Sequence, residues 1–253
     1  MILQAHMGVS KRFPENTMSA FKAAAREGYK IIELDMKFTR DNKCVIIHDF
    51  TLERTARNLD GTPLEKDIEI SALNYSELSK YDFGVHFSEA FKGEKIPTLE
   101  EVLNFARESR IKLKFDNVLQ QFDDKLIDLF FDEIEANYTD GVIGFTSNDL
   151  AFVKRIVSRF STCDIHYDGA VNEDTLEALK KIAPDNSLYI WMPIRKMAWL
   201  DFPPADKKQI QLARKYGLAG IWYATEESEL ERCLELMPDV VETDGTITVN
   251  MIS

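Results

Sequence analysis

Positive charge is scarce in this chain of 253 residues. Lysine and arginine number 31 against 43 aspartate and glutamate residues, which gives a formal net charge of −12. This balance argues against nucleic acid and against an anionic membrane surface as the main partner. An anionic small molecule stays open as a substrate, because a bound cation can reverse the local electric field.

Cysteines and long apolar runs are also few. The three cysteines, Cys44, Cys163 and Cys233, lack metal-site spacing, and their odd number gives no disulfide framework, so a reducing compartment is expected. The apolar runs fall far short of a membrane span, and stable membrane insertion is not expected. The first residues, MILQAH, show no basic segment and no apolar signal core. The expected location is cytoplasmic, although a trimmed secreted protein would look the same.

The GxGxxG motif of dinucleotide-binding folds is absent after the first predicted strand. Short apolar strands alternate with amphipathic helical patterns along the chain, which indicates a parallel sheet. The pattern predicts an α/β fold, a (β/α)8 TIM barrel with one early insertion, and a doubly wound open sheet is the alternative. Strands are expected at 2–6, as a pair within 30–49, and at 111–116, 141–145, 163–168, 188–194, 219–224 and 239–244.

Residues 50–95 interrupt this alternation with short polar pieces and turn signals such as Asp60-Gly61. A loop of that length is usually functional or forms a small subdomain. We therefore expect a single TIM-barrel domain over 1–253 that contains a small insertion at 50–95. Regular alternation resumes at Thr98, which with Glu101 predicts a capping box at the start of a helix.

The stretch KIIELDMKFTRDNKCVIIHD at 30–49 predicts two buried strands joined by a polar turn. Side chains alternate along a strand, so Glu33 and Asp35 share one face of the first strand. Two carboxylates on an otherwise apolar strand are costly unless a positive group lies between them. A divalent cation meets that need, and oxygen ligands favour Mg²⁺ or Ca²⁺ over zinc. The second strand, 44–49, ends near His48.

Five polar residues occupy the carboxyl ends of predicted strands, where TIM barrels place their active sites. They are His6, Glu33, Asp35, His48 and Asp116. This set predicts a hard cation on the three carboxylates, flanked by the two histidines. The arrangement suits phosphoryl transfer: the cation neutralises phosphate oxygens, one histidine removes a proton from the nucleophile, and the other protonates the leaving oxygen.

Several short motifs together resemble the glycerophosphodiester phosphodiesterase family. They are H-x-G at 6–8, PENT at 14–17, E-x-D at 33–35, T-R-D at 39–41, HD at 48–49, L-x-R-T at 52–55, I-P-T-L-E-E at 96–101 and VVETDG at 240–245. The resemblance is dense over residues 6–103, and the order of elements matches to the end. PENT, E-x-D and HD at these spacings form a highly specific combination.

This resemblance implies a barrel with an insertion after the HD motif, a divalent metal and a small-molecule phosphodiester substrate. The products would be an alcohol and a phosphomonoester. In such enzymes two histidines act as general acid and base, and the neighbouring glycerol hydroxyl attacks phosphorus to give a cyclic intermediate. By position, His6 and His48 take those roles and Glu33 and Asp35 bind the metal. Asp116 stands where the family usually has a glutamate ligand.

Two cations of the family pattern are missing. Met7 replaces an arginine that helps hold the phosphate, and Val118 replaces a lysine. Their loss should weaken phosphate binding, since each charged hydrogen bond is worth about 1.5–3 kcal/mol. Lys114, and Arg12 or Lys11 in the first loop, are candidate replacements.

Two further side chains are candidates for substrate contact. Trp191, on the sixth predicted barrel strand, could pack against the alcohol or serve as a core aromatic. His166 shares a strand face with Asp164 and Asp168, which could line the pocket or form a buried polar network.

The His-Met pairing and the Phe-Asp strand are also similar to sphingomyelinase D of the spider-toxin type, which releases a cyclic phosphate. Two alternatives to the hydrolase stay open. One is a cyclising phosphodiesterase of this kind, and the other, motivated by the missing arginine and lysine, is a catalytically silent barrel that binds a phosphorylated ligand.

Overall fold

Eight parallel strands close into a barrel in a computed structural model that describes residues 1–137 and 143–252. In chain order the strands are β1 (Ile2–His6), β2 (Ile31–Leu34), β3 (Met36–Phe38), β4 (Cys44–Ile46), β5 (Arg57–Asn58), β6 (Tyr81–Asp82), β7 (Lys112–Phe115), β8 (Ile143–Ser147), β9 (Asp164–Tyr167), β10 (Leu188–Pro193), β11 (Leu218–Ala224) and β12 (Val240–Thr243). Around the barrel the order is β1, β12, β11, β10, β9, β8, β7 and β2. The predicted (β/α)8 barrel is confirmed.

Helices connect most of the barrel strands. They are α1 (Met18–Arg26), α2 (Tyr75–Leu78), α3 (Leu99–Ser109), α4 (Asp124–Asn137), α5 (Leu150–Arg159), α6 (Glu173–Ile182), α7 (Lys207–Ala213) and α8 (Ser228–Leu236). The predicted capping box at the start of α3 is confirmed, because Thr98 and Glu101 exchange side-chain to backbone hydrogen bonds. No helix in the described ranges is long and apolar enough to cross a bilayer.

The strand expected at 44–49 is not part of the barrel wall. Its residues form β4, which pairs antiparallel with β3 in a separate two-stranded ribbon. The physical reason is the length of the turn, because a parallel crossover needs a dozen or more residues and this connection has only a short polar turn. The ribbon therefore projects from the end of β2 and carries His48 over the barrel mouth. Of the strand expected at 141–145, residues 141 and 142 lie outside the described residues.

The segment at 50–95 contains the small β5–β6 sheet and the single-turn helix α2. Apolar side chains of this segment, together with three from residues just outside it, form a cluster separate from the main core. The members are Val45, Ile47, Leu52, Ala56, Ile70, Leu78, Phe83 and Ile96. We propose on this basis that 50–95 is an insertion within a single barrel domain.

Helix α4 shows how the outer helices pack on the barrel. Its buried residues, Ile127, Phe130, Phe131 and Ile134, follow the helical spacing that makes one apolar stripe. Phe130 meets Phe115 of β7 edge to face, with ring centroids 5.0 Å apart and an interplanar angle of 85°. Such aromatic pairs add to the stabilisation from burial alone. This packing fixes β7, which leads directly to Asp116.

Truncation of Phe130 should destabilise the fold. Phe130→Ala removes a fully buried ring, and we expect a loss of about 3–5 kcal/mol in the free energy of unfolding. Leu129→Ala is the matched control, because its side chain is 38% exposed on the same helix, and a change within about 0.5 kcal/mol is expected. Denaturant unfolding followed by circular dichroism measures both. Equal losses in the two variants would contradict the packing described.

Candidate active site

A cavity of about 170 Å³ lies at the carboxyl ends of the barrel strands. Its walls are mainly polar and aromatic. The lining residues are His6, Met7, Glu33, Asp35, His48, Lys114, Asp116, Asn117, Asp168, Trp191, Trp222, Tyr223 and Glu242. All five residues singled out at strand ends in the sequence line this one cavity.

Three carboxylates converge at one side of the cavity. Glu33 in β2, Asp35 just after it and Asp116 just after β7 each place one oxygen within 4.8 Å of the others. Strands β2 and β7 are neighbours in register, Glu33 beside Lys114, which brings the strand ends together. Within the described chain, no lysine or arginine nitrogen forms an ion pair with any of the three.

Backbone and amide donors orient these carboxylates. The Met7 backbone N–H donates to Glu33 Oε2 at 3.0 Å, and Asn16 Nδ2 donates to Asp35 Oδ2 at 2.8 Å. The Val118 backbone N–H donates to Asp116 Oδ2 at 3.2 Å. Each carboxylate therefore keeps an oxygen available for a cation. Asn16, within the PENT motif, was not anticipated as a site residue.

Burial and mutual repulsion perturb the acidic cluster. Burial is the main cause that raises the pKa of Glu33 well above its ordinary value, and the charge of Asp35 adds to it. Burial likewise raises the pKa of Asp35, followed by the charge of Asp116. These shifts mean that the ionised cluster is unfavourable by itself, and a divalent ion with oxygen ligands fits the donor set.

His48 is held by a chain of charged groups. Its Nδ1 lies 2.6 Å from Asp49 Oδ1, and Arg54 Nε donates to Asp49 Oδ2 at 2.6 Å. Arg54 also binds both oxygens of Glu15, at 2.6 and 2.7 Å. With Nδ1 as the donor to Asp49, Nε2 is left for proton transfer. This series of contacts joins Glu15 of PENT, Asp49 of HD and Arg54 of L-x-R-T. The sequence alone did not indicate that these three motifs meet.

His6 is held differently. Its Nε2 lies 3.9 Å from a carboxylate oxygen of Glu33 and 3.9 Å from one of Glu242. The imidazole stacks on Tyr223, with ring centroids 4.5 Å apart. Tyr223 and Trp222 were not anticipated as site residues, although they lie near the end of a predicted strand. The two histidines thus reach one cavity from different segments, β1 and the β3–β4 ribbon.

Lys114 lies at the cavity floor and is paired. Its Nζ is 2.9 Å from Glu242 Oε2 and 4.8 Å from the centre of the Trp191 ring. Burial opposes its charge, but Glu242 and Glu33 outweigh burial and raise the pKa of Lys114 above its ordinary value. Glu242 also accepts a hydrogen bond from Gln4. Glu242 of β12 thereby contacts residues of both β1 and β7 inside the barrel.

Two predicted substrate contacts lie away from the cavity lining. Arg12 forms a two-pronged ion pair with Glu27, at 2.5 and 3.0 Å. His166 is buried beneath Trp191, whose Nε1 donates to His166 Nδ1 at 2.9 Å. His166 therefore supports Trp191, and Trp191 itself lines the cavity.

Asp164, His166 and Asp168 share one face along β9 and the residue that follows it, and of these three only Asp168 lines the cavity. Asp164 lies deeper and accepts a hydrogen bond from Lys112 Nζ at 2.5 Å. Asp168 lines the cavity, where burial and then the charge of Asp116 raise its pKa to about 6.

Solved structures of similar shape are phosphodiesterases. A phosphodiesterase of Oleispira antarctica, solved in complex with the product sn-glycerol-3-phosphate, superposes with a TM-score of 0.76 at 20% identity, over 97% of this chain and 94% of that one. A glycerophosphodiester phosphodiesterase of Thermotoga maritima gives a TM-score of 0.65 at 20% identity, over 97% and 95%. At this identity the likeness shows the fold.

Sequence relatives match over a shorter stretch. Glycerophosphodiester phosphodiesterase of Caldanaerobacter subterraneus subsp. tengcongensis is 46% identical over 98 residues, 39% of this chain and 37% of that protein. The protein of the same name from Bacillus altitudinis is 42% identical over 99 residues, again 39% and 37%. The matched part thus spans less than two fifths of the length of these relatives.

The family match covers far more of the chain. Residues 6–248 match the sequence model of the glycerophosphoryl diester phosphodiesterase family. The resemblance inferred from the short motifs is confirmed. Because the match runs from the last residue of β1 through the other seven barrel strands, the chain belongs to the glycerophosphoryl diester phosphodiesterase family.

Proposed function

We propose that this protein is a metal-dependent phosphodiesterase that hydrolyses a glycerophosphodiester to an alcohol and glycerol phosphate. The observation that carries the proposal is the convergence of three carboxylates and two histidines on one small cavity. Family membership supports the reaction class, and the sn-glycerol-3-phosphate complex of the Oleispira antarctica protein supports a glycerol phosphate product.

Glu33, Asp35 and Asp116 would hold the divalent ion, Mg²⁺ or Ca²⁺. The fit rests on the chemistry of the donors: three carboxylate oxygens within 4.8 Å, two of them on buried residues and none paired with a lysine or arginine in the described chain. When bound, such an ion neutralises charge on phosphate oxygens. Asn16 and the Met7 N–H keep the carboxylates in place.

The two histidines carry the proton transfers. Asp49 accepts from His48 Nδ1, so Nε2 of His48 can take or give a proton. Arg54 fixes Asp49 from the other side, which limits the rotation of the imidazole. His6 Nε2 lies 3.9 Å from a carboxylate oxygen of Glu33 and 3.9 Å from one of Glu242, so it lies beside the acidic cluster in the same cavity as His48. One histidine then acts as base toward the attacking glycerol hydroxyl and the other as acid toward the leaving oxygen, which gives a cyclic phosphate. Water opens this ring to glycerol phosphate with the two histidine roles reversed.

Lys114 and Trp191 are the proposed substrate contacts among the predicted ones. Lys114 brings positive charge to a floor otherwise lined by carboxylates, which offsets part of the repulsion felt by a phosphodiester. Trp191 offers an apolar ring to the carbon atoms of the alcohol, and His166 holds that ring in place.

We also retain as proposals a cytoplasmic location and the absence of a nucleic-acid partner, from the net charge of −12 and three unpaired cysteines.

Phosphorus NMR tests the proposal directly. Purified protein is incubated with a panel of glycerophosphodiesters and Mg²⁺ or Ca²⁺, and a glycerol phosphate monoester resonance is expected. A cyclic phosphate as the final product would assign the cyclising reaction, which Met7 and Asp116 favour by their similarity to the sphingomyelinase D pattern. No turnover with either ion would instead favour a silent phosphate-binding barrel.

Removal of the His48 imidazole should abolish most of the activity. His48→Ala is expected to lower kcat about 10²–10⁴-fold, because a positioned acid or base contributes that much to proton transfer. His86→Ala, in the insertion and outside the cavity lining, is the matched control and should stay near wild type. Steady-state kinetics with glycerophosphodiester measures both variants. Comparable loss in the two would remove His48 from the mechanism.

Cation binding should stabilise the fold more strongly as pH rises. The raised pKa values of Glu33 and Asp35 mean that the folded state holds their protons more tightly than the unfolded state. Their contribution to stability is therefore complete below the ordinary carboxyl pKa of about 4 and is lost as pH rises through the raised values. A divalent ion binds the ionised cluster, so it restores stability in that same range.

The measurement is Tm with excess Mg²⁺ or Ca²⁺ minus Tm with chelator, from about pH 5 to about pH 8. At about 100 times the Kd, the ion adds about 2.7 kcal/mol of stability. Glu33→Gln should remove most of the pH-dependent increment, and Glu100→Gln, an exposed residue of α3, should keep it. An increment of the same size at every pH would refute this linkage.

A further inference from the structure

The cavity wall carries two polar atoms without a partner, on residues outside the acidic cluster. In the ring order of the barrel, β9 is separated from β7 by β8, whereas β11 lies opposite β7. Asp168 follows β9 and Trp222 belongs to β11, and both residues line the cavity. Asp168 Oδ1 and Trp222 Nε1 are buried, and neither makes a hydrogen bond within the described chain.

Such atoms are few, and their location is informative. Across residues 1–137 and 143–252, six buried side-chain nitrogen or oxygen atoms lack a partner, on Gln4, Thr55, His86, Thr146, Asp168 and Trp222. Only Asp168 and Trp222 among these six residues line the cavity. An unpaired buried donor or acceptor is costly, so a pair of them at a cavity indicates groups that a ligand completes.

Neighbouring contacts hold both side chains in position. Asn117 Nδ2 donates to Asp168 Oδ2 at 2.6 Å, which orients the carboxylate and leaves Oδ1 as the unpaired acceptor. The Trp222 ring lies parallel to Tyr223, with an interplanar angle of 3° and centroids 6.3 Å apart, and Tyr223 stacks on His6. The acceptor and the donor are thus features of an ordered wall.

The chemistry of the two atoms restricts the ligand group. Asp168 Oδ1 needs a donor and Trp222 Nε1 needs an acceptor, and a hydroxyl group is both. An ammonium only donates and would leave Trp222 unpaired, whereas a phosphate oxygen only accepts and would be repelled by Asp168. A cavity of about 170 Å³ is smaller than typical pockets for drug-sized ligands, so the part of a ligand held inside it is about the size of a phosphate with a short arm.

We propose that Asp168 and Trp222 form a subsite for a hydroxyl group on a short organic arm of the substrate. The subsite lies beside the acidic cluster in the same cavity, so it selects the arm while the cluster and histidines act on the phosphate. This assignment rests on the proposed phosphodiesterase function. The hydroxyl could belong to the glycerol arm or to the released alcohol, and the experiment separates these sources.

The first measurement is equilibrium binding by calorimetry, with full-length protein and Mg²⁺. The wild type should bind sn-glycerol 3-phosphate about three- to tenfold more tightly than methyl phosphate, which has no hydroxyl arm. Trp222→Phe keeps the ring and removes the donor, and it should lose that preference. Asp168→Leu should lose it too, whereas Asp168→Asn should keep most of it, because an amide still hydrogen-bonds a hydroxyl.

The second measurement determines which arm of the substrate carries the hydroxyl group that the subsite binds. If the hydroxyl belongs to the released alcohol, Trp222→Phe keeps the preference for glycerol 3-phosphate over methyl phosphate. It then lowers the ratio of kcat/KM for glycerophosphoglycerol over glycerophosphocholine, by the same three- to tenfold factor. Should no diester be turned over, which would refute the proposed function, equilibrium binding of the same two diesters gives the ratio instead.

Two control variants and two outcomes that would contradict the proposal complete the test. Trp199→Phe and Asp185→Asn change exposed residues of the same types, and both ratios should equal those of the wild type. If Trp222→Phe moves neither ratio, the hydroxyl subsite is wrong. If Asp168→Asn selectively weakens glycerophosphocholine, the wall binds an ammonium and the proposal is likewise overturned.

Discussion

Repulsion among Glu33, Asp35 and Asp116 is the constraint on which the site depends. Two of these carboxylates are buried, and in the described chain no lysine or arginine pairs with any of the three. Removing charges from water costs several kcal/mol each unless an opposite charge compensates, so the cluster is unfavourable without a cation. The cluster lies at the barrel mouth, in the same cavity as His6 and His48.

A second acidic group in the same barrel is compensated internally. Glu242 accepts from both Lys114 and Gln4, so its charge is neutralised by the protein. Deeper still, Lys112 and Asp164 form another pair. The charged groups farther from the barrel mouth are therefore paired with one another. The carboxylates of Glu33, Asp35 and Asp116, at the mouth, have no lysine or arginine partner in the described chain. Lys114, the cation at the cavity floor, accordingly forms its ion pair with Glu242 and not with the carboxylates of Glu33, Asp35 or Asp116.

The sequence predicted the parts of the protein that depend on local order. Alternation of strands and helices indicated the barrel, and Thr98 with Glu101 indicated the start of α3. Period-two alternation placed Glu33 and Asp35 on one face. Local patterns did not show how segments pair: 30–49 was predicted as two strands joined by a turn, and the second of these pairs antiparallel with β3 outside the barrel wall.

The sequence alone thus predicts the positions of strands and helices, the E-x-D pair and the family. These features are recognised from short patterns of residues that are close together in the sequence. The depth at which each side chain lies in the barrel was decided only by the tertiary structure. Asp164, His166 and Asp168 share one strand face, yet only Asp168 reaches the cavity. Arg12 turned to Glu27, and Asp49, Arg54 and Glu15 assembled around His48. These outcomes depend on strand register and barrel closure, which join residues far apart in sequence, and no local pattern encodes them.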